Sequence, residues 1–133
     1  MSEVSEERPT VLVVDDEEDL RDIMRRMLER RGFATLVAGD PDQAVTVCQE
    51  HPGIIDVLVT DLGLPGVSGG EMARSCMQLR PDMGVVYISG LPKDIAVTKG
   101  LIGEDALLVK KPFTSDVLLD ALRLILAEKA PTS

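Results

Sequence analysis

A chain of 133 residues holds one domain with a sizeable core and little besides. Its composition, 44% hydrophobic and 28% charged, is that of a folded globular protein, and no apolar run is long enough to cross a bilayer. The formal net charge of −9 repels phosphate backbones and argues against direct nucleic-acid binding by this domain.

The stretch Met1–Glu7 is acidic and lacks the apolar segment of a secretory signal, so a cytoplasmic location without membrane insertion is expected. Cys48 and Cys76 fall in expected helices and read as small buried residues, not as a disulfide framework. Residues 1–8 read as a disordered leader, 9–129 as the domain and 130–133 as a frayed tail.

In chain order, Val11–Val14 is a β-branched apolar run followed at once by acids, as a strand buried on both faces reads. Leu20, Ile23, Met24, Met27 and Leu28 then recur at helical spacing until Gly32 stops the helix. Arg25, Arg26, Arg30 and Arg31 lie among the acids of this helix and read as a solvated face, with a docking surface as the alternative. Ala34–Ala38 is a second strand, and Asp40-Pro41 caps and opens a helix to about Glu50. His51, in a Glu-His-Pro stretch at that helix end, reads as a surface residue.

Val57–Thr60 is a third strand ending at Asp61. A loop with Gly63, Pro65, Gly66, Gly69 and Gly70 follows, then a helix carrying Met72, Cys76 and Leu79. Gly84–Ile88 reads as the fourth strand, Ser89-Gly90-Leu91-Pro92 as a turn, and Lys93–Lys99 as a short helix. Ala106–Val109 is the fifth strand. Ser115 is expected to cap a last helix with Leu118, Ala121, Leu122, Ile125 and Leu126 on its apolar stripe. Leu119 and Leu124 lie off that stripe and fit either a partner contact or a wide core face.

Five alternating units imply an α/β fold: a doubly wound, flavodoxin-like, five-stranded parallel sheet of order 2-1-3-4-5 with helices on both faces. Ligands of such sheets sit beyond the carboxyl ends of the strands. Standing there are Asp15-Asp16 after strand one, Asp61 after strand three, Ser89 after strand four and Lys110-Lys111 after strand five. Two unit charges about 4 Å apart repel by about 4 kcal/mol at an effective dielectric of about 20. A cluster of three acids therefore calls for a cation or a raised pKa. An oxygen ligand set without His or Cys suits Mg²⁺. Singly, each residue has an ordinary reading: the acids as helix caps or turn formers, Ser89 as a turn residue, Lys111 as a solvated charge. Their joint placement at one end of the sheet carries the functional reading.

These residues resemble the receiver domain of two-component response regulators. Val11-Leu-Val-Val-Asp-Asp-Glu-Glu-Asp-Leu-Arg21 is similar to the first strand and acidic pair of that family, and Thr60-Asp-Leu-Gly-Leu-Pro-Gly-Val-Ser-Gly-Gly70 to its phosphoacceptor loop. Tyr87-Ile-Ser-Gly90 resembles its fourth-strand hydroxyl motif and Lys110-Lys-Pro-Phe113 its Lys-Pro-Phe signature. The resemblance implies that Asp61 is the phosphoacceptor and that Asp16, Asp61 and the Gly63 carbonyl bind Mg²⁺, with Asp15 acting mainly through water. Ser89 would hydrogen-bond a phosphoryl oxygen and Lys111, rather than Lys110, would pair with the phosphate. A cis Lys111-Pro112 bond is also implied. The implied donor is a histidine kinase or a histidine phosphotransfer domain. The implied output is an effector protein or a homodimer at the face of helix four, strand five and helix five.

Two departures bear on mechanism. Leu108 stands where many family members carry an aromatic switch residue, which turns attention to the loop after Ser89. Gly63 leaves no side chain beside the phosphoryl group, so an open site is expected, with dephosphorylation governed by Leu91 and solvent access. Both a stand-alone regulator and the carboxyl-terminal receiver of a hybrid histidine kinase match the Ser-Gly and Ser-Gly-Gly motifs. Two other classes remain in view: a degenerate receiver that only binds partners, and a Mg²⁺-dependent aspartyl-phosphate hydrolase. The latter usually has a second acid where Gly63 stands.

Overall fold

The apolar run after Pro9 forms β1 (Thr10–Val14), buried on both faces, and α1 (Glu18–Arg30) returns the chain to β2 (Ala34–Ala38). The pattern repeats through α2 (Pro41–Glu50), β3 (Val57–Asp61), α3 (Gly69–Leu79), β4 (Gly84–Ser89), α4 (Lys93–Thr98), β5 (Leu107–Lys110) and α5 (Ser115–Lys129). The structure, a computed structural model, describes residues 8–63 and 68–129. The expected tails (apart from Arg8) and the loop residues Pro65 and Gly66 lie outside the described residues. All strand pairs are parallel and the order is β2-β1-β3-β4-β5, as the alternation of units implied.

Because side chains alternate along a strand, each central strand serves two cores. Val11, Val13, Val57, Val59, Val86 and Ile88 pack with Met24 and Leu28 of α1 and with Leu118, Leu119 and Leu122 of α5. On the other face Leu12, Val14, Leu58 and Tyr87 pack with Ala44 and Cys48 of α2, Met72 and Cys76 of α3 and Ala96 of α4. Helix α1 ends at Gly32, whose φ of +92° suits glycine alone. The basic group on α1 forms ion pairs along the surface, Arg25 with Asp22 and Glu29, and Arg26 with Asp22.

Several local expectations are corrected. Thr114, not Ser115, caps α5: its Oγ1 accepts from the Val117 N–H at 3.3 Å, which leaves Ser115 as the first helical residue. Strand β5 begins one residue later than expected and extends to Lys110. Leu119 belongs to the core while Leu124 is exposed, so the stripe of α5 is wide on one side only. Ile23 and Leu79, assigned to apolar stripes, are largely exposed at the stripe margins. His51 is half-buried at the end of α2, where its carbonyl accepts from Arg80 Nη2 at 2.6 Å. Arg80 also donates to the carbonyls of Cys48 and Gly53 and so closes the carboxyl end of α2.

One packing constraint sets the position of α3. Ser68 and Glu71 form a reciprocal capping box at its start. Behind that cap, a Cβ on Gly69 would lie 2.2 Å from the Asp61 carbonyl oxygen, and one on Gly70 would lie 2.4 Å from the Leu101 carbonyl oxygen. The Ser-Gly-Gly sequence thus has a steric cause: bare Gly69 lets the helix start against the end of β3, and bare Gly70 lets it pass the Leu101 carbonyl. A Cβ on Gly63 would meet only ordinary contact, 3.6 Å from Asp61 Oδ1. Gly69→Ala is therefore expected to cost about 1–3 kcal/mol of stability, and Gly63→Ala to stay within about 0.5 kcal/mol, both read by urea denaturation.

Candidate functional site

The register of the sheet delivers the site. Val14 of β1 pairs with Thr60 of β3, so Asp15 and Asp61 follow side by side at the same edge. Asp61 pairs with Ile88 and Ser89 with Lys110, which places Ser89 and Lys111 on the same edge. The Lys111 N–H donates to the Ser89 carbonyl at 2.8 Å, and the Lys111-Pro112 bond is cis, as the resemblance implied.

Both oxygens of Asp61 are held. Lys111 Nζ donates to Oδ2 at 3.0 Å and the Gly63 N–H donates to Oδ1 at 2.9 Å. The Asp61 side chain is 12% exposed and that of Lys111 30%, so this pair is screened less than an ion pair on the surface. Burial pushes the Lys111 ammonium down, but the hydrogen bond and charge of Asp61, with Asp15 beyond, outweigh it and hold Lys111 above its ordinary value. Lys110 is exposed.

Asp15 is fully buried and Asp16 is exposed. Asp15 Oδ1 accepts from the Glu17 N–H at 2.8 Å at the entry to α1. Its Oδ2 is buried with no hydrogen-bond partner among the described residues. Burial is the main reason the Asp15 carboxyl titrates above its ordinary value; the charge of Asp61 adds to this and the Glu17 hydrogen bond opposes it. One carboxylate oxygen from each of Asp15, Asp16 and Asp61 lies within 4.8 Å of the others. An orphaned buried oxygen and three converging hard ligands fit a divalent cation of the Mg²⁺ class.

Ser89 is buried, and its Oγ accepts from the Leu91 N–H at 2.9 Å, so in this state the hydroxyl is engaged with its own loop. Leu108 is partly buried on the α2–α4 side of the sheet and is the register partner of Tyr87, the only tyrosine of the chain. The aromatic ring therefore sits one strand inward from Leu108, buried in the core.

Arg21 is the positioning residue that sequence reasoning did not single out. Its Nη1 donates to the Asp15 carbonyl at 2.8 Å, which ties α1 to the start of the acidic loop. A Cβ on Gly39 would lie 2.9 Å from that Nη1, so the bare backbone after β2 makes room for the guanidinium. The signal was present as an arginine one turn into the helix that follows the acid pair.

The sequence model of the response regulator receiver domain matches residues 11–123, from the first strand into the last helix. The chain belongs to that family. The receiver is 32% identical over 114 residues to the C4-dicarboxylate transport transcriptional regulatory protein DctD of Pseudomonas aeruginosa, covering 85% of this chain and 24% of that one. It is 35% identical over 119 residues to the DNA-binding response regulator MtrA of Mycolicibacterium smegmatis, covering 87% and 50% respectively. The receiver thus spans a quarter to a half of these relatives. The crystal structure of a response regulator receiver protein from Sinorhizobium medicae superposes with a TM-score of 0.80 at 29% identity, over 93% of this chain and 98% of that one. Receiver domains of two-component systems generally bind Mg²⁺ and interact with histidine kinases or phosphotransfer proteins, and the acidic cluster of this receiver can hold such an ion. No helix among the described residues is long and apolar enough to cross a membrane.

The buried carboxylate of Asp15 gives a signed pH prediction for the metal-free protein. A carboxyl whose pKa is raised by folding stabilises the fold below its unfolded pKa, and that contribution is lost as pH rises through the folded pKa. An asparagine keeps an oxygen for the Glu17 N–H but carries no charge. In chelator, Asp15→Asn is expected to be more stable than the parent at pH 7, with the advantage shrinking as pH falls to the ordinary carboxylate range. Urea denaturation at both pH values measures it.

Proposed function

We propose that Asp61 accepts a phosphoryl group from a phosphohistidine of a histidine kinase or histidine phosphotransfer domain, in a Mg²⁺-dependent reaction in the cytoplasm. The observation that carries this reading is the Asp61 carboxylate fixed between Lys111 Nζ and the Gly63 N–H, beside the acid pair. Asp16 and Asp61, with the Gly63 carbonyl, are the direct ligands in this proposal, and Asp15 acts through water. When bound, the cation neutralises the acids and the charge of the incoming group.

The protein's own part is placement. Phosphoryl transfer needs an in-line nucleophile and positive charge around the equatorial oxygens. Asp61 Oδ attacks phosphorus as the P–N bond to histidine breaks, and the imidazole leaves with the bonding electrons. Lys111, already 3.0 Å from Asp61 Oδ2, moves to a phosphoryl oxygen. Ser89 Oγ then gives up the Leu91 N–H and donates to another phosphoryl oxygen, which reshapes the loop into α4.

In the phosphorylated state these contacts favour the conformation in which Ser89 and Lys111 close on the acceptor, a population shift read on the face of α4, β5 and α5. Val117 and Leu124 are exposed on α5 and Ile95 on α4, available to an effector protein or a second copy. With Leu108 in place of an aromatic side chain, the Ser89–Leu91 loop is the proposed route of the signal. The acidic surface gives this domain no direct contact with nucleic acid; DNA binding named for a relative such as MtrA concerns a protein twice as long.

Incubation with Mg²⁺ and acetyl phosphate, followed by intact mass, tests the reading. A single phosphoryl adduct that requires Mg²⁺ and disappears in Asp61→Asn is expected. An adduct that persists in Asp61→Asn would refute the assignment. Absence of any adduct, both with acetyl phosphate and with a phosphorylated histidine phosphotransfer domain, would leave a receiver that acts by partner binding alone.

A further inference from the structure

Of the three acids at the edge, Asp16 is the exposed one, and its carboxylate takes its position from the backbone that carries it. Asp15 beside it is held at three points. Its N–H donates to the Ala38 carbonyl at 3.3 Å, its Oδ1 accepts from the Glu17 N–H at 2.8 Å, and its carbonyl accepts from Arg21 Nη1 at 2.8 Å. The carbonyl of Asp15 and the N–H of Asp16 belong to one planar peptide unit. Arg21 therefore holds the peptide from which Asp16 starts, and the orientation of that peptide decides where the Asp16 carboxylate meets those of Asp15 and Asp61.

The fold keeps a place for this guanidinium. Arg21 lies one turn into α1, with its N–H on the Glu17 carbonyl, and its side chain runs back over that turn to Asp15. Across from it the chain leaves β2 through Gly39, whose N–H donates to Gln43 Oε1 at 2.8 Å. Gly39 has no positive φ, so its backbone conformation does not call for glycine. Space does: a Cβ there would lie 2.9 Å from Arg21 Nη1 and 3.5 Å from both Arg21 Cζ and Gln43 Oε1. The first turn of α1 and the turn between β2 and α2 thus converge on the contact between Arg21 and the Asp15 carbonyl.

We propose that Arg21, seated against Gly39, is a positioning residue that sets Mg²⁺ affinity by orienting the Asp15–Asp16 peptide. The proposal rests on the cation-site reading of the acid edge. Charge and position act here with opposite signs. A guanidinium beside a cation site repels the cation, so charge alone predicts tighter binding when Arg21 is removed. Positioning predicts weaker binding, because losing a group that orients a metal ligand costs about ten-fold or more in affinity. A role confined to tying down α1 predicts lower stability and unchanged affinity.

The test titrates the chelator-treated full chain with Mg²⁺ by calorimetry, with urea denaturation in chelator to establish that each variant is folded. Arg21→Met is expected to bind Mg²⁺ about ten-fold more weakly than the parent. Arg21→Lys, which keeps a donor for the Asp15 carbonyl, is expected to recover part of that loss. Gly39→Ala alters neither a ligand nor a charge, and its Cβ meets the far end of a flexible side chain, so it decides the matter even where Arg21→Met does not fold. It is expected to weaken binding in the same direction, and to add no further loss in the Arg21→Met background. Arg25→Gln removes a cation from the same helix, one paired with Asp22 and Glu29, and is expected to bind like the parent. The proposal is overturned if folded Arg21→Met binds as tightly as the parent or more so, if Gly39→Ala matches the parent, or if the two losses add in full. A parent that binds no Mg²⁺ overturns the cation site itself, and this proposal with it.

Discussion

Three carboxylates gathered at the carboxyl edge of β1 and β3 repel one another, and the structure answers that repulsion with the Lys111–Asp61 ion pair. Everything around the site follows from holding that arrangement. The pair spans β3 and the end of β5, elements fifty residues apart in the chain, so it exists only when the parallel sheet is complete. Lys111 is itself anchored by its backbone N–H on the Ser89 carbonyl. Asp15 remains incompletely satisfied, with one buried oxygen that has no hydrogen-bond partner among the described residues. An edge of this kind is a place where strain between like charges is held in readiness for a cation.

The supporting parts are mostly backbone. Gly63 offers its N–H to Asp61, Gly69 lets α3 begin against the Asp61 carbonyl, and Gly39 leaves room for the Arg21 guanidinium that grips the Asp15 carbonyl. Such contacts fix the position of the acids without filling the space where a ligand would sit. Ser89 fits the same logic: its hydroxyl is parked on the Leu91 N–H, a local bond that can be exchanged for another acceptor or donor when the charge at Asp61 changes.

The order of elements and the placement of the acids, Ser89 and Lys111 at one edge were legible because alternation of apolar runs and helical stripes is a strong signal. The edges of those elements were less so. Thr114 and Ser115 both have hydroxyls able to cap α5, and only the hydrogen bond to Val117 separates them. The exposure of Ile23 and Leu79 depends on how far the neighbouring helices cover each stripe, which is a tertiary property. The roles of Arg21 and of the Gly69-Gly70 pair were hidden for the same reason. Each depends on how separate segments pack: the Arg21 guanidinium on the Asp15 carbonyl has its room from the bare Gly39, and Gly69 and Gly70 lie against the Asp61 and Leu101 carbonyls.

The acidic cluster of Asp15, Asp16 and Asp61 can hold a divalent cation, and the proposed function rests on its doing so. Calorimetric titration of the chelator-treated chain with Mg²⁺ tests it most directly. The account predicts one binding site per chain, abolished in Asp16→Asn and Asp61→Asn and retained in the surface control Asp22→Asn. Absence of binding, or binding unchanged in Asp16→Asn and Asp61→Asn, would contradict it.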